Sequence, residues 1–278
     1  KDLKAKFLDD FADATDDVLR QFDGNTGLVE GWVALYKNGA DDAVRRSMES
    51  LDYVRKGLDK GLTGRQVVIS HNINTKVPKT KPSQSTNDLD KIYEQAKVAN
   101  VELRRITSEV AARTRGKAGF RPSDINNGLK GRERALEKIN SDYVGDASKI
   151  IDVAGSKIVY DKIDELYSGL KQISKSMEII RIKDRIVKPV GSGYRDILMN
   201  VRMSNGHVVE MRLHLSKIDD VAKKEHVLYQ ERRSIEAKVN MEKRAMTPKE
   251  IQRIDELTEE ASGLYDKVWK ELIKNNKK

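Results

Sequence analysis

Hydrophobic positions recur along this chain with two different periods, one typical of helices and one typical of strands. Near the N-terminus, apolar residues stand three to four positions apart, which is the period of an amphipathic α-helix. Residues 3–20 place Leu3, Phe7 and Phe11 on one stripe with aspartates opposite, and residues 27–39 and 41–58 indicate two further short helices. The N-terminal part is therefore predicted to be a small helical unit.

Residues 72–87 interrupt this helical pattern. The segment is polar, contains two prolines and has no periodicity, which is a composition typical of a linker. We therefore place a domain boundary near residue 84, with a helical segment and linker at 1–84 and a second domain at 85–278.

The second domain is predicted to contain both helices and strands. Helical spacing covers residues 88–116, 128–145, 161–174 and 216–244. A last helix is expected after Thr247, because Pro248 and Glu250 suit a helix start. Runs rich in β-formers occur at 152–160, 177–183, 196–203 and 207–213. The fold class is therefore α+β, a mixed sheet of four to five strands flanked by helices, with an N-terminal helical segment before it.

Alternation with period two divides the predicted strands into two chemically different faces. In residues 207–215, Glu210, Arg212 and His214 share one face, and the apolar residues between them share the other. The run at 177–183 likewise puts Arg181 and Lys183 on one face. The sheet is therefore expected to pack through an apolar face and to carry a basic face that contains a carboxylate.

Composition narrows the possible partners. The chain of 278 residues is 38% hydrophobic, 35% charged and 5% aromatic, which allows a packed core and favours helices with solvated faces. Its net charge of +9 fits a polyanion such as a nucleotide or RNA, although lysine-rich surfaces also serve solubility alone.

Cysteine is absent, which excludes disulfides, Cys-based zinc sites and thiol nucleophiles. No apolar window of about 18 residues occurs, so membrane insertion is not expected. The start has neither an initiator Met nor a signal peptide, and we expect a piece of a longer polypeptide.

Two groups of charged residues suggest chemistry on phosphates. Asp152 precedes a predicted strand, so its carboxylate and that of Glu210 can meet at a strand end. Two carboxylates among Lys and Arg suit Mg²⁺-bound polyphosphate, although a surface salt bridge is the plainer interpretation of either acid. The segment "LKGRERALEK" at 129–138 places cations at helical spacing, where they can clamp phosphates or form a solvated helix face.

A glycine-rich turn precedes Tyr194. The Gly-Ser-Gly at 191–193 allows a sharp turn that exposes the ring for stacking on a base, although a half-buried tyrosine is the more ordinary outcome. There is no Walker A pattern and no GxGxxG, so neither P-loop nor Rossmann phosphate binding is supported. Of the four histidines, only His214 is a functional candidate.

Taken in order, these residues resemble the synthetase domain of the RelA/SpoT family, over about residues 125–235. The segment "DVAGSK" at 152–157 is similar to that family's Asp-Ile-x-Gly-x-Arg motif, with Lys157 in the place of the Arg. "LKGRERALEK" is similar to its basic loop, with Arg134 where a Ser is usual. "RIKDRIVKPVGSGYRD" at 181–196 is similar to Arg-Val-Lys-Asp followed by Gly-Tyr-Arg-Ser. "VEMRLHL" at 209–215 is similar to its Glu-x-Gln strand, with Arg212 in the place of the Gln.

That family transfers pyrophosphate from ATP to a nucleotide 3′-hydroxyl. The resemblance therefore implies a synthetase-like nucleotidyltransferase fold and an ATP-dependent pyrophosphokinase. It implies that Asp152 and Glu210 are catalytic, hold Mg²⁺ and assist the attacking hydroxyl. The ATP-binding residues that it implies are Lys130, Arg132, Arg134, Lys138 and Lys157. The acceptor-binding residues that it implies are Arg181, Lys183, Tyr194, Arg195, Arg212 and His214, with Tyr194 stacked on a purine.

Parts of the chain also resemble a divergent branch of this family found at the C-terminal ends of bacterial polymorphic toxins and in phage head-associated proteins. These parts are "GYRD", "HVVE" and "EHVLY", and residues 6–47 resemble the linker that precedes many toxin domains. We therefore expect 85–278 to be a toxin domain, secreted or delivered into a target cell, where it acts in the cytoplasm, and we expect a cognate immunity protein. Two alternatives stay open: the same transfer to the 3′-end of tRNA, and a catalytically inactive nucleic-acid-binding or phage structural module.

Overall fold

The computed structural model describes residues 41–78, 80–124 and 126–276. The helices predicted at 3–20 and 27–39 lie outside these residues. The described chain divides into two compact units, one before Val77 that also takes in Asn276, and one from Val77 to Asn275.

The first unit contains two helices, α1 (Asp41–Asp59) and α2 (Gly64–Asn74), and α1 agrees with the helix predicted at 41–58. Helix α2 begins with a capping box, in which the backbone N–H of Thr63 donates to Gln66 and that of Gln66 donates to the Thr63 hydroxyl. The helices approach closely at Gly57, where a Cβ atom would lie 2.6 Å from Val67.

The second unit is built on a five-stranded mixed sheet with the order β1-β2-β5-β4-β3. The strands are β1 (Lys117–Phe120), β2 (Gly155–Tyr160), β3 (Glu178–Asp184), β4 (Ile197–Arg202) and β5 (Val208–Leu215). β2 and β5 are parallel, and the other neighbouring pairs are antiparallel. The predicted fold class is therefore confirmed, including the positions of the four strands from β2 to β5.

Strand β1 is the element that sequence reasoning missed, because no element was predicted between the helices at 88–116 and 128–145. The strand has only four residues, and two of them are exposed, so no alternation of apolar and polar positions marks it. It pairs with β2 from Lys117 opposite Val159 to Phe120 opposite Ser156. The sheet is therefore one strand wider beside β2 than the sequence pattern indicates.

Helices cover the apolar face of the sheet. Helix α3 (Leu89–Arg113) starts at the N-cap Asp88 and buries Ile92, Ala96, Ala99 and Leu103 as predicted. Helix α5 (Ile163–Ser176) follows β2, and α4 (Arg132–Asp142) lies between β1 and β2 in the chain. Thr107 of α3 shares a hydrogen bond of 2.9 Å with Ser156 of β2. This packing leaves the opposite, polar face of the sheet for other contacts.

The last two helices are α6 (Ser216–Met241) and α7 (Pro248–Asn276). Helix α7 begins with the predicted capping box, because Thr247 N donates to Glu250 and Glu250 N donates to the Thr247 hydroxyl. The two helices meet at the buried Glu225, which binds Arg232 and accepts a hydrogen bond of 3.3 Å from Tyr265. Within the described residues, no helix is both long enough and apolar enough to cross a membrane.

The chain between α2 and α3 contains a residue that belongs to the sheet domain. Gln84 is buried, and its side chain donates to the carbonyls of Ile150 and Val208 and accepts from Val208 N. The domain boundary at residue 84 stays a prediction. A chain that begins at residue 85 nevertheless loses these hydrogen bonds, whereas one that begins at Val77 keeps them.

Candidate active site

The strand register assembles the predicted polar face of the sheet. One cross-strand line runs through Gly155, Glu210, Asn200 and Arg181, and the next runs through Lys157, Arg212, Leu198 and Lys183. Residues opposite each other on neighbouring strands share a face, so Glu210 lies in the middle of a basic surface. The exposed fraction of Asn200 is 1%, and within the described residues neither polar atom of its side chain has a hydrogen-bond partner.

A cavity of about 370 Å³ opens on this face between β1, β2 and β5. Its walls are Gly119, Phe120, Arg121, Pro122, Gly155, Ser156, Lys157, Glu210 and Arg212. A side chain larger than that of Gly155 would crowd the cavity, because a Cβ atom there would lie 3.3 Å from the carbonyl of Glu210 and 3.4 Å from Arg121. The cavity therefore presents three cations and one carboxylate to a ligand.

Arg121 is a cavity residue that sequence reasoning missed. It follows the unpredicted strand β1, and its guanidinium donates to the carbonyls of Val153 at 3.0 Å and Asp152 at 3.1 Å. Recognising β1 as the partner of β2 would have placed Arg121 beside the "DVAGSK" segment. Arg121 thus connects the backbone before β2 with the cavity.

Asp152 lies between two lysines of the basic segment. Its Oδ2 atom accepts from Lys130 at 2.7 Å and from Lys138 at 3.1 Å. Its Oδ1 atom is buried and has no hydrogen-bond partner within the described residues. Burial raises the pKa of Asp152, but the hydrogen bonds and charges of Lys130 and Lys138 outweigh it and hold this pKa below 3.8. The carboxylate is therefore ionised, and of its two oxygens only Oδ2 accepts hydrogen bonds from the described residues.

The backbone before helix α4 fixes the position of Lys130. Asn126, Asn127 and Gly128 all have positive φ angles, of 51°, 55° and 73°, so the chain turns tightly in the left-handed region. The N–H of Lys130 then donates to Val153 at 2.8 Å, and its carbonyl accepts from the Tyr93 hydroxyl at 2.8 Å. Lys130 is thus anchored at both backbone groups beside Asp152.

The other two cations of the basic segment are not brought to Asp152. Arg132 is exposed, forms an ion pair with Asp90 of α3, and lies 5.4 Å from the centre of the Tyr93 ring. Arg134 is exposed and forms no hydrogen bond or ion pair with any residue that the structure describes. Of the four cations predicted to bind phosphates, only Lys130 and Lys138 therefore lie at Asp152, and Arg132 and Arg134 do not.

Lys157 and His214 meet at a carboxylate on α6 that sequence reasoning did not single out. Lys157 Nζ lies 3.1 Å from Asp219, and His214 Nδ1 lies 3.2 Å from the same carboxylate. These contacts, with that of His214 first, lower the pKa of Asp219 despite its burial. Lys157, which was predicted to bind ATP, and His214, which was predicted to bind the acceptor nucleotide, thus both contact the Asp219 carboxylate.

Glu210 and Tyr194 are connected through two further residues. Arg212 Nε donates to Glu210 Oε1 at 2.9 Å, and Arg212 Nη1 lies 3.8 Å from Asp196 Oδ2. The Tyr194 hydroxyl donates to the same Asp196 oxygen at 3.2 Å. Asp196, which was not predicted as a site residue, therefore stands between the predicted acceptor residues.

The Tyr194 ring is half-buried rather than fully exposed. Gly193 has a φ angle of +81° and approaches α7 so closely that a Cβ atom would lie 3.2 Å from Tyr265. The Tyr194 ring makes edge contacts with the rings of Tyr265 at 5.8 Å and His214 at 6.5 Å between centres. Burial, with Asp196 beside it, raises the pKa of the Tyr194 hydroxyl. The turn forms as predicted, but α7 covers part of the ring.

The three remaining acceptor candidates are divided between two places. Arg181 and Lys183 lie on the polar face along β3, where burial and the neighbouring charges of Arg181 and Arg185 lower the pKa of Lys183. Arg195 is buried, donates to the carbonyl of Gly193 at 2.7 Å, and lies 4.7 Å from the centre of the Trp269 ring on α7. Arg195 therefore packs against α7 instead of joining the other cations.

Asp152 and Glu210 are the residues that can hold a metal ion here. Within the described residues, no three His, Cys, Asp or Glu side chains are grouped to bind one. The unpartnered Oδ1 of Asp152 and the carboxylate of Glu210 in the cavity wall fit Mg²⁺, which often takes one or two carboxylates and completes its shell with water and phosphate oxygens. The donor set thus fits a metal that arrives with a polyphosphate.

Known proteins share both the sequence pattern and the fold. A family model described as "Region found in RelA / SpoT proteins" matches residues 128–234. The (p)ppApp synthetase toxin Tas1 of Pseudomonas aeruginosa (strain UCBPP-PA14) is 30% identical over 115 residues, which are 41% of this chain and 24% of that protein. The chain thus spans about a quarter of the length of this curated relative.

A solved structure shares its fold with a larger part of this chain. The complex between the Type VI effector Tas1 and its immunity protein matches 65% of this chain and 96% of the matched chain, with 22% identity and a TM-score of 0.50. Small alarmone synthetase 2 from Bacillus subtilis matches 68% of this chain and 98% of its own, with 20% identity and a TM-score of 0.46. Residues 128–234 of this chain are thus similar to the RelA/SpoT region, and the sheet domain shares its fold with the Tas1 structure.

Proposed function

We propose that this domain is an ATP-dependent pyrophosphokinase that transfers the β,γ-pyrophosphate of ATP to the 3′-hydroxyl of a purine nucleotide. The observation that carries the proposal is the Asp152 cluster, in which one ionised carboxylate binds two lysines and keeps one buried oxygen without a partner among the described residues. Glu210 and Arg212 line the neighbouring cavity. A relative with an aligned region 30% identical carries the name of a (p)ppApp synthetase toxin, which supports the same class of reaction.

The transfer needs an in-line hydroxyl and neutralised phosphate charge more than covalent help from the protein. The acceptor 3′-oxygen forms a bond with the β-phosphorus of ATP, and the bond from that phosphorus to the α,β-bridging oxygen breaks. AMP leaves with that oxygen, and the hydroxyl proton passes to the Glu210 carboxylate. The product is a nucleotide that carries a 3′-pyrophosphate.

Lys130 and Lys138 would bind the phosphates of ATP, because their ammonium groups lie together and are partly exposed. Lys157 and Arg121 would add charge from the cavity wall. Mg²⁺ bound by Asp152 and Glu210 would neutralise charge on the transferred group. Arg134 is exposed and would reach the phosphates only from outside this cluster.

Tyr194 would contact the acceptor base with the uncovered part of its ring. Arg181, Lys183 and Arg212 share the polar face with Glu210, so they suit the acceptor's phosphates. His214 would act indirectly, through its edge contact with Tyr194. Arg195 would support the turn from below, because it packs against Trp269.

The biological role that we propose is that of a toxin domain. The relative with the shared fold is a Type VI effector seen with its immunity protein, which supports delivery into a target cell and a cognate immunity protein for this chain. In the target cytoplasm, such a transferase would consume ATP and accumulate a 3′-pyrophosphorylated nucleotide. A net charge of +9 also leaves the 3′-end of tRNA as an alternative acceptor.

The test is to incubate the chain with γ-labelled ATP and Mg²⁺ in parallel with ADP, GDP, GTP and deacylated tRNA. We expect AMP release and label on a nucleotide. Label on tRNA would support the alternative acceptor. Salt-dependent nucleic-acid binding without AMP release would support the inactive module and contradict the proposal. Glu210→Gln serves as the control for contaminating kinases.

A further inference from the structure

We propose that Asp196 and Arg212 act together as a positioning pair, which aligns the acceptor-binding Tyr194 with Glu210. This inference deepens the proposed function and rests on it. The exposed fraction of the Asp196 side chain is 0%, yet three groups converge on it: Arg185 at 3.0 Å, the Tyr194 hydroxyl at 3.2 Å and Arg212 at 3.8 Å.

The contacts form one continuous chain of alternating charge. Arg185 pairs with Asp196, Asp196 with Arg212, and Arg212 with Glu210 at 2.9 Å. A buried carboxylate needs a cation for its charge, and Arg185 supplies one at Oδ1. The second oxygen, Oδ2, contacts the Tyr194 hydroxyl and Arg212. This oxygen of Asp196 therefore positions two residues that are proposed to bind the acceptor.

The pair also explains two departures from the family motifs. Asp196 stands where the motif Gly-Tyr-Arg-Ser ends in Ser, and Arg212 stands where the Glu-x-Gln strand has Gln. The register of Ile197 opposite Leu213 brings the two positions together on neighbouring strands. Either charge alone would have one partner fewer at this place. The two departures thus lie beside each other, and their charges partner each other.

The pair has a consequence for binding. The Tyr194 hydroxyl donates to Asp196 Oδ2, and Arg212, which donates to Glu210 at 2.9 Å, lies 3.8 Å from the same Asp196 oxygen. Losing Asp196 frees the Tyr194 ring and leaves Arg212 to Glu210 alone. The acceptor KM should therefore rise more than the ATP KM, because no contact between described residues joins Asp152, Lys130 or Lys138 to Asp196 or Arg212.

A double-mutant cycle on the full chain of 278 residues tests the pair, with ATP as donor and ADP and GDP as acceptor probes. Asp196→Ser and Arg212→Gln should each raise the acceptor KM by about tenfold or more, since a buried charge that loses a partner typically costs 1.4 kcal/mol or more. The acceptor KM of the double variant should be at least about fivefold lower than the value expected if the two single effects multiplied. Asp220→Ser and Arg253→Gln are matched controls on exposed ion pairs.

Independent effects of the two changes, or a fall in Tm without any change in acceptor KM, would overturn the pair. If Asp196→Ser does not fold, Asp196→Asn keeps the shape and removes the charge, and Asn is expected to show the same coupling with Arg212→Gln. Binding of N-methylanthraniloyl ADP and GDP is measured on the same variants. If the wild-type chain releases no AMP with any acceptor, the proposed transfer fails by itself. Coupling or its absence in the Kd values then still decides whether Asp196 and Arg212 form a nucleotide-positioning pair.

Discussion

Two carboxylates on this domain each hold two cations, and they differ in what they leave unused. Asp152 binds Lys130 and Lys138 through a single oxygen and keeps the other one buried without a partner in the described structure. Asp196 uses both oxygens, one for Arg185 and the other for Tyr194 and Arg212. The side chain of Asp152 is 14% exposed, and that of Asp196 is 0% exposed.

We infer from this difference that Asp152 can exchange its partners, whereas Asp196 keeps its partners in fixed positions. Lys130 and Lys138 are 18% and 28% exposed, so both can turn towards a phosphate while a metal takes the free oxygen of Asp152. Asp196 is fully buried, and its cations lie on β5 in the case of Arg212 and directly after β3 in the case of Arg185. We therefore propose that Asp152 and Glu210 take part in the chemistry and that Asp196 aligns the acceptor side.

The largest expected effect comes from Glu210, which lies opposite Gly155 and Asn200 on the polar face. Glu210→Gln should lower kcat by about 10²- to 10⁴-fold, because the acceptor hydroxyl loses its proton acceptor. The Tm should change little, since the Glu210 side chain is 18% exposed and the packing face of β5 is separate from it. Glu271→Gln, on an exposed ion pair with Lys217, is the matched control. A Tm that falls by many degrees together with the activity would make Glu210 a structural residue.

The next effect is on stability and is expected to distinguish Asp196 from Asp152. Asp196→Asn should lower the free energy of unfolding by about 3 to 5 kcal/mol, because it removes the charge of a fully buried carboxylate and takes the anion from Arg185. Asp152→Asn should cost only about 1 kcal/mol, because the Asp152 side chain is itself 14% exposed and its lysines are partly exposed. Urea unfolding of both variants measures the difference. Equal losses would remove the distinction between the two carboxylates.

Tyr194 tests the acceptor side directly. Tyr194→Ala should raise the acceptor KM about 5- to 150-fold, as expected for the loss of one stacked base, and should leave the ATP KM unchanged. Tyr194→Phe should have a smaller effect, because it removes only the hydrogen bond to Asp196. Both constants are measured with ATP and with ADP or GDP as acceptor. An ATP-specific defect would reverse the two subsites, and no defect at all would leave Tyr194 as an ordinary turn residue.

The smallest effect concerns pH. The pKa of Asp152 lies below its unfolded value of 3.8, so this group stabilises the fold above that pH and the contribution disappears as the pH falls through the lower, folded value. The difference in unfolding free energy between the wild-type chain and Asp152→Asn should be complete above about pH 5 and should shrink below pH 4. Urea unfolding at pH 3, 4, 5 and 7 measures it. A difference that grows towards low pH would contradict the ion pairs with Lys130 and Lys138.

Sequence reasoning succeeded where the signal is local. Alternation along residues 207–215 placed Glu210 and Arg212 on the polar face, and the spacing from Thr247 to Glu250 located the start of α7. The four residues of β1 carry no such signal, so the strand and Arg121 behind it were missed.

It did not anticipate contacts with distant residues. Arg132 stays a predicted phosphate ligand, and it forms an ion pair with Asp90 on α3. The Tyr194 ring is half-buried, the more ordinary of the two expected outcomes, and the residue that contacts it, Tyr265 on α7, has no local signal. Asp196 was overlooked because its role depends on Arg185 and Arg212, which no local spacing connects with it. Tertiary contacts of this kind become visible only in the folded chain.

The central claim is that the polar sheet face transfers pyrophosphate from ATP to a nucleotide 3′-hydroxyl. Mass spectrometry of the nucleotides formed by the purified chain with ATP, Mg²⁺ and either ADP or GDP tests it most directly. The account predicts AMP and an acceptor that has gained two phosphates at its 3′-position, in equal amounts, and neither product with Glu210→Gln. Release of ADP or inorganic phosphate from ATP, with the acceptor unchanged, would contradict it.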